Sequence, residues 1–319
     1  MNIYNLNNTL FKKNCGLSFY WFCLRKHFSI IRFAIIQLWA WGMYLLGIWS
    51  KIKFREKFFV FLKGIKDVDS LVEEFWKKNE ANINHELLKD KGENDVLATI
   101  EPRFLVQPIA DKYDLWIIAS DVDKSSGKHY SLCDCDGKLN ELQSADFENC
   151  DAMYSSTRTD MPILKLAKQA YIIDKKGVTK LEEYKPSFMT KVKENFFTIE
   201  FCQFLVLGVI NTVNSTIIST LFSLIIQANL AFICGYIISL MIAYVLNSLW
   251  IFKQKLNFKK LVMFAVSYIP NFIIQNGIVF LLFNLAGLNQ ILVYALAAII
   301  GIPVTFVCVK LLCFLKKKK

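Results

Sequence analysis

Residues 201–252 read FCQFLVLGVINTVNSTIISTLFSLIIQANLAFICGYIISLMIAYVLNSLWIF, and residues 261–309 read LVMFAVSYIPNFIIQNGIVFLLFNLAGLNQILVYALAAIIGIPVTFVCV. Neither stretch contains Asp, Glu, Lys, Arg or His. Each is roughly twice as long as the ~20 apolar residues that one helix needs to cross a bilayer. Solvated charges would interrupt a soluble core of this length, so each stretch predicts two membrane helices joined by a turn. Most classes of soluble enzyme are excluded for this part of the chain.

Polar and small residues interrupt both stretches near the middle. The first interruption is Gln227 to Asn229, and the second is Ala286 to Gln290. The sequence therefore predicts an all-α domain of four transmembrane helices, each long enough to span with some tilt. The predicted helices are at about 201–224, 230–251, 261–284 and 290–314.

Lysines border the predicted helices on one side. They are Lys191, Lys193, Lys253, Lys255, Lys259, Lys260, Lys310 and Lys316 to Lys319. The other two connections carry no charge. The positive-inside rule therefore predicts a multi-pass cell-membrane protein with both ends in the cytoplasm. The N-terminal region of about 190 residues is expected to be cytosolic.

The same lysines account for much of the net charge of +11. Because they border membrane helices, they set topology and meet anionic headgroups, and a nucleic-acid partner is not expected. The nine cysteines show no metal-ligand or disulfide spacing. Cys133 and Cys135 are too close for a CxxC site, so free thiols in a reducing cytosol are expected.

Strands alternating with helical patterns predict an α/β fold with a mostly parallel sheet in the N-terminal half. A helical insert is predicted at about 14–90, and the charged segment Asp174–Pro186 predicts a linker. The predicted domains are 1–180 and 196–319, joined through 181–195. The predicted strands are Met1–Leu6, Asp95–Ile100, Leu115–Asp121, Ala152–Ser155 and Ala170–Asp174, with a helix at Pro162–Lys168.

Within the insert, Phe28 to Trp49 is apolar enough to resemble a membrane helix, with Arg32 as its only charge. If this segment crossed the membrane, the Met1–Leu6 strand would be separated from the other strands and would lose its hydrogen-bond partners. A buried cap helix, or a helix lying in the membrane interface with its tryptophans at the headgroups, is therefore favoured over a fifth span.

Tyr4 to Leu10 (YNLNNTL) resembles the first motif of haloacid dehalogenase-like (HAD) phosphatases, which normally reads Asp-x-Asp-x-Thr directly after the first strand. Thr99 fits the second motif, and Tyr154 to Asp160 fits the fourth. The resemblance covers about residues 1–180. It implies a Rossmann-like parallel sheet with a helical cap inserted just after the first motif.

The acidic positions of that family are replaced in this chain. In the family the first Asp attacks phosphorus and the second protonates the leaving group. Asn5 and Asn7 stand there instead, and Ser156 replaces an acid that would hold Mg²⁺, which leaves Asp160. The expected phosphate-binding Lys aligns near Asn140, with Lys138 as an out-of-register substitute.

Losing three carboxylates predicts a pseudoenzyme without a cofactor, with Mg²⁺ bound only if the site is active after all. The two asparagines also suit a simple strand-to-helix turn. Neither interpretation predicts phosphatase activity.

The membrane half resembles the GtrA-like family of small four-helix membrane proteins. Phe204, Gly208, Asn211 and Thr212 carry the resemblance, together with Asn247 to Phe252 (NSLWIF). Family members usually have basic residues just after that Asn, whereas this chain has Ser248 and Leu249. The resemblance implies a protein that moves or presents undecaprenyl-phosphate-linked sugar during surface polysaccharide synthesis.

Polar residues inside the spans are the candidate binding residues. Without ionisable groups in the spans, an ion-coupled pump is not expected, whereas neutral groups suit a sugar headgroup. The same groups also suit contacts between helices. The candidates are Asn211, Thr212, Asn214, Asn247, Trp250, Asn271, Gln275 and Lys310. A weak internal duplication aligns Asn211 with Asn271 and Phe252 with Phe314.

Three functions remain after these observations. The favoured one is a membrane protein of cell-surface polysaccharide or glycolipid synthesis that translocates or presents polyprenyl-phosphate-linked sugar. The alternatives are an active HAD-type phosphatase on a lipid or sugar phosphate, and a membrane scaffold for a glycosyltransferase. Expected partners are membrane lipid and a membrane glycosyltransferase, and a homo-oligomer is compatible with the small domain.

Overall fold

A computed structural model describes residues 1–89, 91–144, 150–174 and 176–314. The terminal lysines Lys316 to Lys319, on which part of the topology prediction rests, lie outside these residues. The chain divides into two compact units. One comprises Met1–Tyr44 and Ile48–Lys185, called the head below. The other comprises Leu45–Gly47 and Pro186–Lys319, called the membrane unit.

The head contains a six-stranded sheet in the order β3-β2-β1-β4-β5-β6. Every neighbouring pair is parallel except β5 with β6. This confirms the predicted α/β class and its mostly parallel sheet. The strands are β1 Asn2–Asn5, β2 Val96–Pro102, β3 Trp116–Ser120, β4 Ala152–Ser155, β5 Gln169–Asp174 and β6 Gly177–Lys180.

Strand β6 contradicts the prediction that the segment after Asp174 is a linker. It pairs antiparallel with β5 and puts Asp174 opposite Gly177. Gly177 has a φ of +119°, a conformation that glycine adopts without a steric penalty, so the chain reverses within a few residues. The prediction failed because an exposed edge strand and a linker are both rich in charged residues, so the sequence alone does not distinguish them.

In the described part of the head there are seven α-helices, and the first four form the insert predicted between β1 and β2. Short 3₁₀ helices at Phe28–Phe33 and Phe59–Gly64 connect insert helices. The helices are α1 Cys15–Lys26, α2 Ala34–Leu45, α3 Lys51–Phe58, α4 Val68–Asn79, α5 Arg103–Lys112, α6 Cys135–Ser144 and α7 Met161–Leu164.

Two hydrophobic cores cover the two faces of the sheet. Ile3 belongs to the core that includes Ile163 and Leu164 of α7. Tyr4, the next residue, belongs to the core shared with the insert and α5. Successive strand side chains point to opposite faces, so a strand buried on both sides is apolar throughout.

The membrane unit consists of apolar helices, with one helix inside the predicted linker. Three π-helical segments, Asn247–Ile251, Phe280–Leu285 and Lys310–Phe314, continue α10, α12 and α13. The helices are α8 Phe188–Phe196, α9 Ile199–Ser223, α10 Ala228–Leu246, α11 Phe258–Val266, α12 Ile269–Val279 and α13 Gln290–Val309.

The third predicted helix is interrupted. It divides into α11 and α12 around Ser267 and Tyr268, just before Pro270. Proline has no N–H to donate and fits the first turn of a helix, so a new helix begins there.

Among the described residues, five segments are long and apolar enough to cross a membrane. Four of them, Ile199–Ser223, Ala228–Ile251, Phe258–Leu285 and Leu296–Phe314, lie in the membrane unit as predicted. The fifth is Phe28–Leu45 of the insert, so composition and length alone give one candidate more than the four predicted spans. These segments confirm a membrane protein.

The two halves of the membrane unit resemble each other at their ends. Asn247–Ile251 and Lys310–Phe314 are both π-helical and close the second helix of each half. Phe252 and Phe314, which the sequence alignment paired, stack with ring centroids 4.2 Å apart. The structure therefore supports a repeated two-helix unit, an arrangement in which sites lie where repeats meet.

Candidate functional site

The first candidate site lies at the carboxyl ends of β1 and β4 in the head, where ligands bind in parallel α/β sheets. Asn5 ends β1, Ser155 ends β4 and Asp160 follows in a short 3₁₀ turn. Asn5 Nδ2 donates to Asp160 Oδ2 at 2.5 Å, and Ser155 Oγ donates to the same oxygen at 2.9 Å. Lys138 Nζ lies 3.5 Å from Asp160 Oδ1. All four residues are buried, so the one remaining acid of the motif is fully engaged.

Asn7 is held by hydrogen bonds at both ends of its amide. Its Nδ2 donates to Glu101 Oε1 at 2.7 Å, and its Oδ1 accepts from Cys15 N at 2.7 Å. Glu101 is fully buried and also accepts from Arg55 Nη2 at 2.7 Å. An aspartate could not donate to Glu101. The asparagine therefore connects the first turn of α1 to the sheet through a carboxylate.

The other predicted positions divide between this site and the surface. Thr99 is buried, and its hydroxyl accepts from Glu101 N at 3.2 Å. Ser156 Oγ donates to Asn7 O at 2.9 Å. Asn140 is exposed on α6, whereas Lys138 is buried against Asp160. The structure thus brings the out-of-register Lys138 to the site and leaves Asn140 outside.

The Mg²⁺ ion that the HAD resemblance implies does not fit this donor set. Mg²⁺ prefers several anionic oxygens in octahedral geometry. Here two amide N–H₂ groups point at the two carboxylates, and each carboxylate also faces a cation, Lys138 or Arg55. Within the described residues, no group of three or more His, Cys, Asp and Glu side chains could hold a metal ion.

Arg55 and Glu101 were missed in the sequence analysis. They belong to different elements, α3 and β2, and no local pattern joins residues so far apart along the chain. The only signal was an acid at the end of an otherwise apolar strand, Val96 to Ile100. A buried charge of that kind needs a partner, because its desolvation is costly.

The second candidate site is a pocket of about 210 Å³ inside the membrane unit. Most of its polar lining comes from α9, the end of α10 and α12. Four of the eight predicted binding residues line it, namely Asn211, Thr212, Asn247 and Asn271. The remaining lining residues are Phe204, Leu207, Gly208, Ala243, Tyr268, Ile302 and Thr305.

Two carbonyl oxygens in this lining are not satisfied by the protein. Asn247 is 2% exposed, and its Nδ2 donates to Ala243 O at 2.7 Å. In the part of the chain that the structure describes, the buried oxygens Asn247 Oδ1 and Asn271 Oδ1 have no hydrogen-bond partner. A buried acceptor without a donor costs free energy, so these atoms favour a bound group that donates hydrogen bonds.

The other polar lining residues make internal hydrogen bonds. Ser239 Oγ donates to both Asn211 O and Asn211 Oδ1, at 2.9 and 2.6 Å. Thr212 Oγ1 donates to Gly208 O at 3.0 Å, and Thr305 Oγ1 donates to Gly301 O at 3.0 Å. These hydrogen bonds connect helix α9 to α10 or stay within one helix, so the lining acceptors without a partner among the described residues are Asn247 Oδ1 and Asn271 Oδ1.

Two glycines shape the pocket differently. A Cβ built on Gly208 meets nothing within 4 Å, so its bare side is open space in the lining. A Cβ on Gly301 would lie 2.2 Å from Asn271 Oδ1 and 2.3 Å from Gln275 Nε2. Glycine at 301 therefore permits the close approach of α13 to the two amides on α12.

The comparisons with known proteins identify this unit. Residues 203–314 match the family model of the GtrA/DPMS transmembrane domain. The pocket residues all lie within the matched range. The match confirms the resemblance found in the sequence and indicates a membrane role in glycolipid or polysaccharide synthesis. No curated protein matches the sequence.

Solved structures resemble the N-terminal part of the chain. A protein of unknown function from Bordetella pertussis Tohama I is 17% identical over 53% of this chain and 87% of its own, with a TM-score of 0.44. A phosphoserine phosphohydrolase-like protein from Francisella tularensis subsp. tularensis SCHU S4 is 19% identical over 53% and 86%, with a TM-score of 0.37. A phospho-aspartyl intermediate analogue of phosphoserine phosphatase is 15% identical over 53% and 83%, with a TM-score of 0.34.

The other four predicted binding residues of the GtrA/DPMS domain are not among the pocket residues. Gln275 Nε2 instead donates to Ala297 O at 3.4 Å, a contact between α12 and α13. Lys310 Nζ lies 5.6 Å from the centre of the Phe306 ring. Asn214 and Trp250 also lie outside the lining. Among the described residues that line the pocket, none is acidic or basic.

Proposed function

We propose that the GtrA/DPMS domain binds the sugar of a polyprenyl-phosphate-linked sugar in its pocket, and translocates or presents it during surface polysaccharide or glycolipid synthesis. The observation that carries this proposal is the pair of buried acceptors, Asn247 Oδ1 and Asn271 Oδ1, that the described residues leave without donors. Sugar hydroxyl groups supply such donors. An uncharged lining suits this neutral part of the ligand.

The size and charge of the pocket support different binding places for the sugar and for the phosphate. A pocket of about 210 Å³ is smaller than the ~300–1,000 Å³ that accommodate drug-sized ligands, so it suits one sugar ring. The phosphate needs cations, which lie at the helix borders, for example Lys253, Lys260 and Lys310. Under the positive-inside rule these borders face the cytoplasm, where they would attract an anionic headgroup.

Translocation of a fluorescent polyprenyl-phosphate-linked sugar in liposomes tests the proposal. Asn247→Leu with Asn271→Leu keeps side-chain volume and removes both acceptors. Two hydrogen bonds of about 1 kcal/mol each correspond to a roughly thirtyfold loss of affinity. Asn276→Leu is the matched control, because Asn276 is exposed on the same helix, outside the pocket.

Each outcome of that experiment is informative. Loss of binding and translocation in the double variant alone supports the proposal. Binding without translocation by the unmodified protein favours presentation of the sugar to a membrane glycosyltransferase. Unchanged binding in the double variant would contradict the assignment of the pocket.

We also propose that the head is a catalytically silent, docking or regulatory module. The support is the Asn5 amide, which stands at the nucleophile position and donates to the remaining acid, Asp160. An amide nitrogen engaged in this way cannot form an aspartyl phosphate. Full-length protein should not hydrolyse a generic aryl phosphate with Mg²⁺. Turnover that disappears in Asn5→Ala would instead establish the alternative, an active phosphatase.

A further inference from the structure

The insert carries a large apolar surface on the segment Phe28–Trp49, called the apolar segment below, of which Leu45–Gly47 belong to the membrane unit and the rest to the head. One side of helix α2 packs on the head, where Ala40 is buried and Gln37 Nε2 donates to Phe58 O at 2.7 Å. The rest of the helix is exposed, with Ile35 at 78% and Trp39 at 64%. The other exposed large apolar residues of the segment are Phe28, Ile31, Ile36, Leu38, Trp41 and Ile48.

The exposed apolar residues of α2 cover a wider part of the helix circumference than a single protein–protein contact would bury. At roughly 100° per residue, positions 35, 36, 38, 39 and 41 cover more than half of the helix circumference. A surface helix of a soluble protein has its apolar stripe buried and its polar face outward. Here the buried side holds Gln37, and the outward side is apolar. This inverted pattern is that of a helix immersed in lipid.

The sheet excludes a crossing of the membrane by this segment. Strand β1 precedes the segment and pairs with β2 and β4, which both follow it. Cys23 and Ile30 on one side of α2, and Phe59 and Phe61 on the other, belong to one buried core. The chain therefore enters and leaves the apolar segment from the same body.

Basic residues border the apolar segment on both sides. Arg25 and Lys26 end α1 just before it, and Lys51, Lys53 and Lys57 lie in α3 just after it. Lys26 pairs with Glu74, and Lys51 pairs with Asp134. Arg25 and Lys53 therefore carry most of the charge that this border offers to the anionic headgroups of a cytoplasmic leaflet, where each cation near the surface contributes about 1 kcal/mol.

We infer that the apolar segment lies in the plane of the membrane interface and anchors the head to the bilayer surface. The side of α2 that includes Ile35, Leu38 and Trp39 enters the boundary between headgroups and acyl chains. The flanking lysines and arginines contact anionic lipid phosphates. The anchor holds the head beside the membrane independently of what the membrane unit binds, so it does not rest on the proposed function.

Depth-dependent quenching of tryptophan fluorescence tests this inference in the full-length protein. The protein is reconstituted in anionic vesicles whose lipids carry bromine either near the carbonyl end or near the methyl end of the acyl chains. The fluorescence of Trp39 and Trp41 is obtained as the difference between the unmodified protein and the double variant Trp39→Phe with Trp41→Phe. Trp116→Phe is the matched control, because Trp116 is exposed on β3 and apolar like them.

The expected result is a loss of most of the Trp39 and Trp41 fluorescence with bromine near the carbonyl end, and a much smaller loss with bromine near the methyl end. The Trp116 contribution should not change with either lipid. Stronger quenching by the deeper bromine would establish a transmembrane path and overturn the inference. Absence of quenching by both lipids would also overturn it, since a protein partner or a second copy would then cover the surface.

Discussion

Asn5 and Asn7 each use a side-chain amide to engage a buried carboxylate. Each donates to an acid, Asp160 or Glu101, at a distance of 2.5 or 2.7 Å. Each acid is also close to a cation. An amide next to a carboxylate needs no metal ion to balance charge, whereas two facing carboxylates do. The asparagines are therefore part of the stability of the head.

Asn7→Asp should destabilise the head. A carboxylate at position 7 would face Glu101 in a buried site and lose the donated hydrogen bond, at a cost of about 3 kcal/mol. Thermal unfolding of the full-length protein in detergent measures the change. Asn140→Asp, on the exposed face of α6, is the control and should leave the midpoint in place. An unchanged midpoint for Asn7→Asp would show that the contact does not matter for stability.

His129 should make the head less stable at mildly acidic pH. The residue is 6% exposed, and burial lowers its pKa. The folded head then binds fewer protons than the unfolded chain, so this stability is present above the unfolded pKa near 6.5 and is lost as pH falls below it. His129→Phe should flatten the pH dependence of unfolding between about pH 7 and pH 5. The exposed His27→Phe should not.

Helix packing in the membrane unit depends on small residues at particular points of the elements. A Cβ on Gly235 of α10 would lie 2.7 Å from the backbone nitrogen of Ser219 in α9, whereas a Cβ on Gly277 of α12 meets nothing within 4 Å. The two glycines look alike in the sequence. They differ because only one lies where two helices cross closely.

Gly235→Ala should therefore destabilise the membrane unit, and Gly277→Ala should not. The added methyl group would force α9 and α10 apart, and overpacking of this kind costs about 1–3 kcal/mol. Unfolding of the two variants in the same detergent makes the comparison. Equal midpoints would indicate that the helices separate without cost.

The elements were predictable where a pattern repeats along the chain. Alternating strands and helices gave the first five strands, and the uncharged stretches gave four spans. Asn211, Thr212, Asn247 and Asn271 were predictable as pocket residues because polar side chains are rare in such helices. The same reasoning failed for three other polar or amphipathic residues that do not line the pocket, namely Asn214, Gln275 and Trp250. Each residue turns a helix by about 100°, and an apolar surface all around gives no signal for which side faces the pocket.

At the scale of the whole molecule, the lysine borders predict which connections share a compartment. An epitope inserted after Gly287 should be reached by antibody from the outer side of the cell membrane. The same epitope after Gln254 should be reached only after that membrane is permeabilised, because the positive-inside rule predicts a cytoplasmic connection at Lys253, Lys255 and Lys259. The head should share the compartment of Gln254. Access to both insertions in intact cells would contradict this topology.

The contacts between distant parts of the head could not be predicted. The pair Arg55 and Glu101 joins the insert to the sheet, and Lys138 replaces Asn140 at Asp160. Both depend on how a helix is rotated after the chain has folded. A single sequence carries the residue types but not this rotation.

The central place of β1 in the sheet has a consequence for biosynthesis. Strand β1 pairs with both β2 and β4. Its pairing can therefore be completed only after residue 155 has left the ribosome. The first spanning helix, α9, begins at Ile199. Because synthesis runs from the N-terminus, all six strands of the head are made before helix α9 reaches the translocation machinery. The apolar segment emerges long before either event, so a targeting factor can meet it before it meets the helices of the membrane unit.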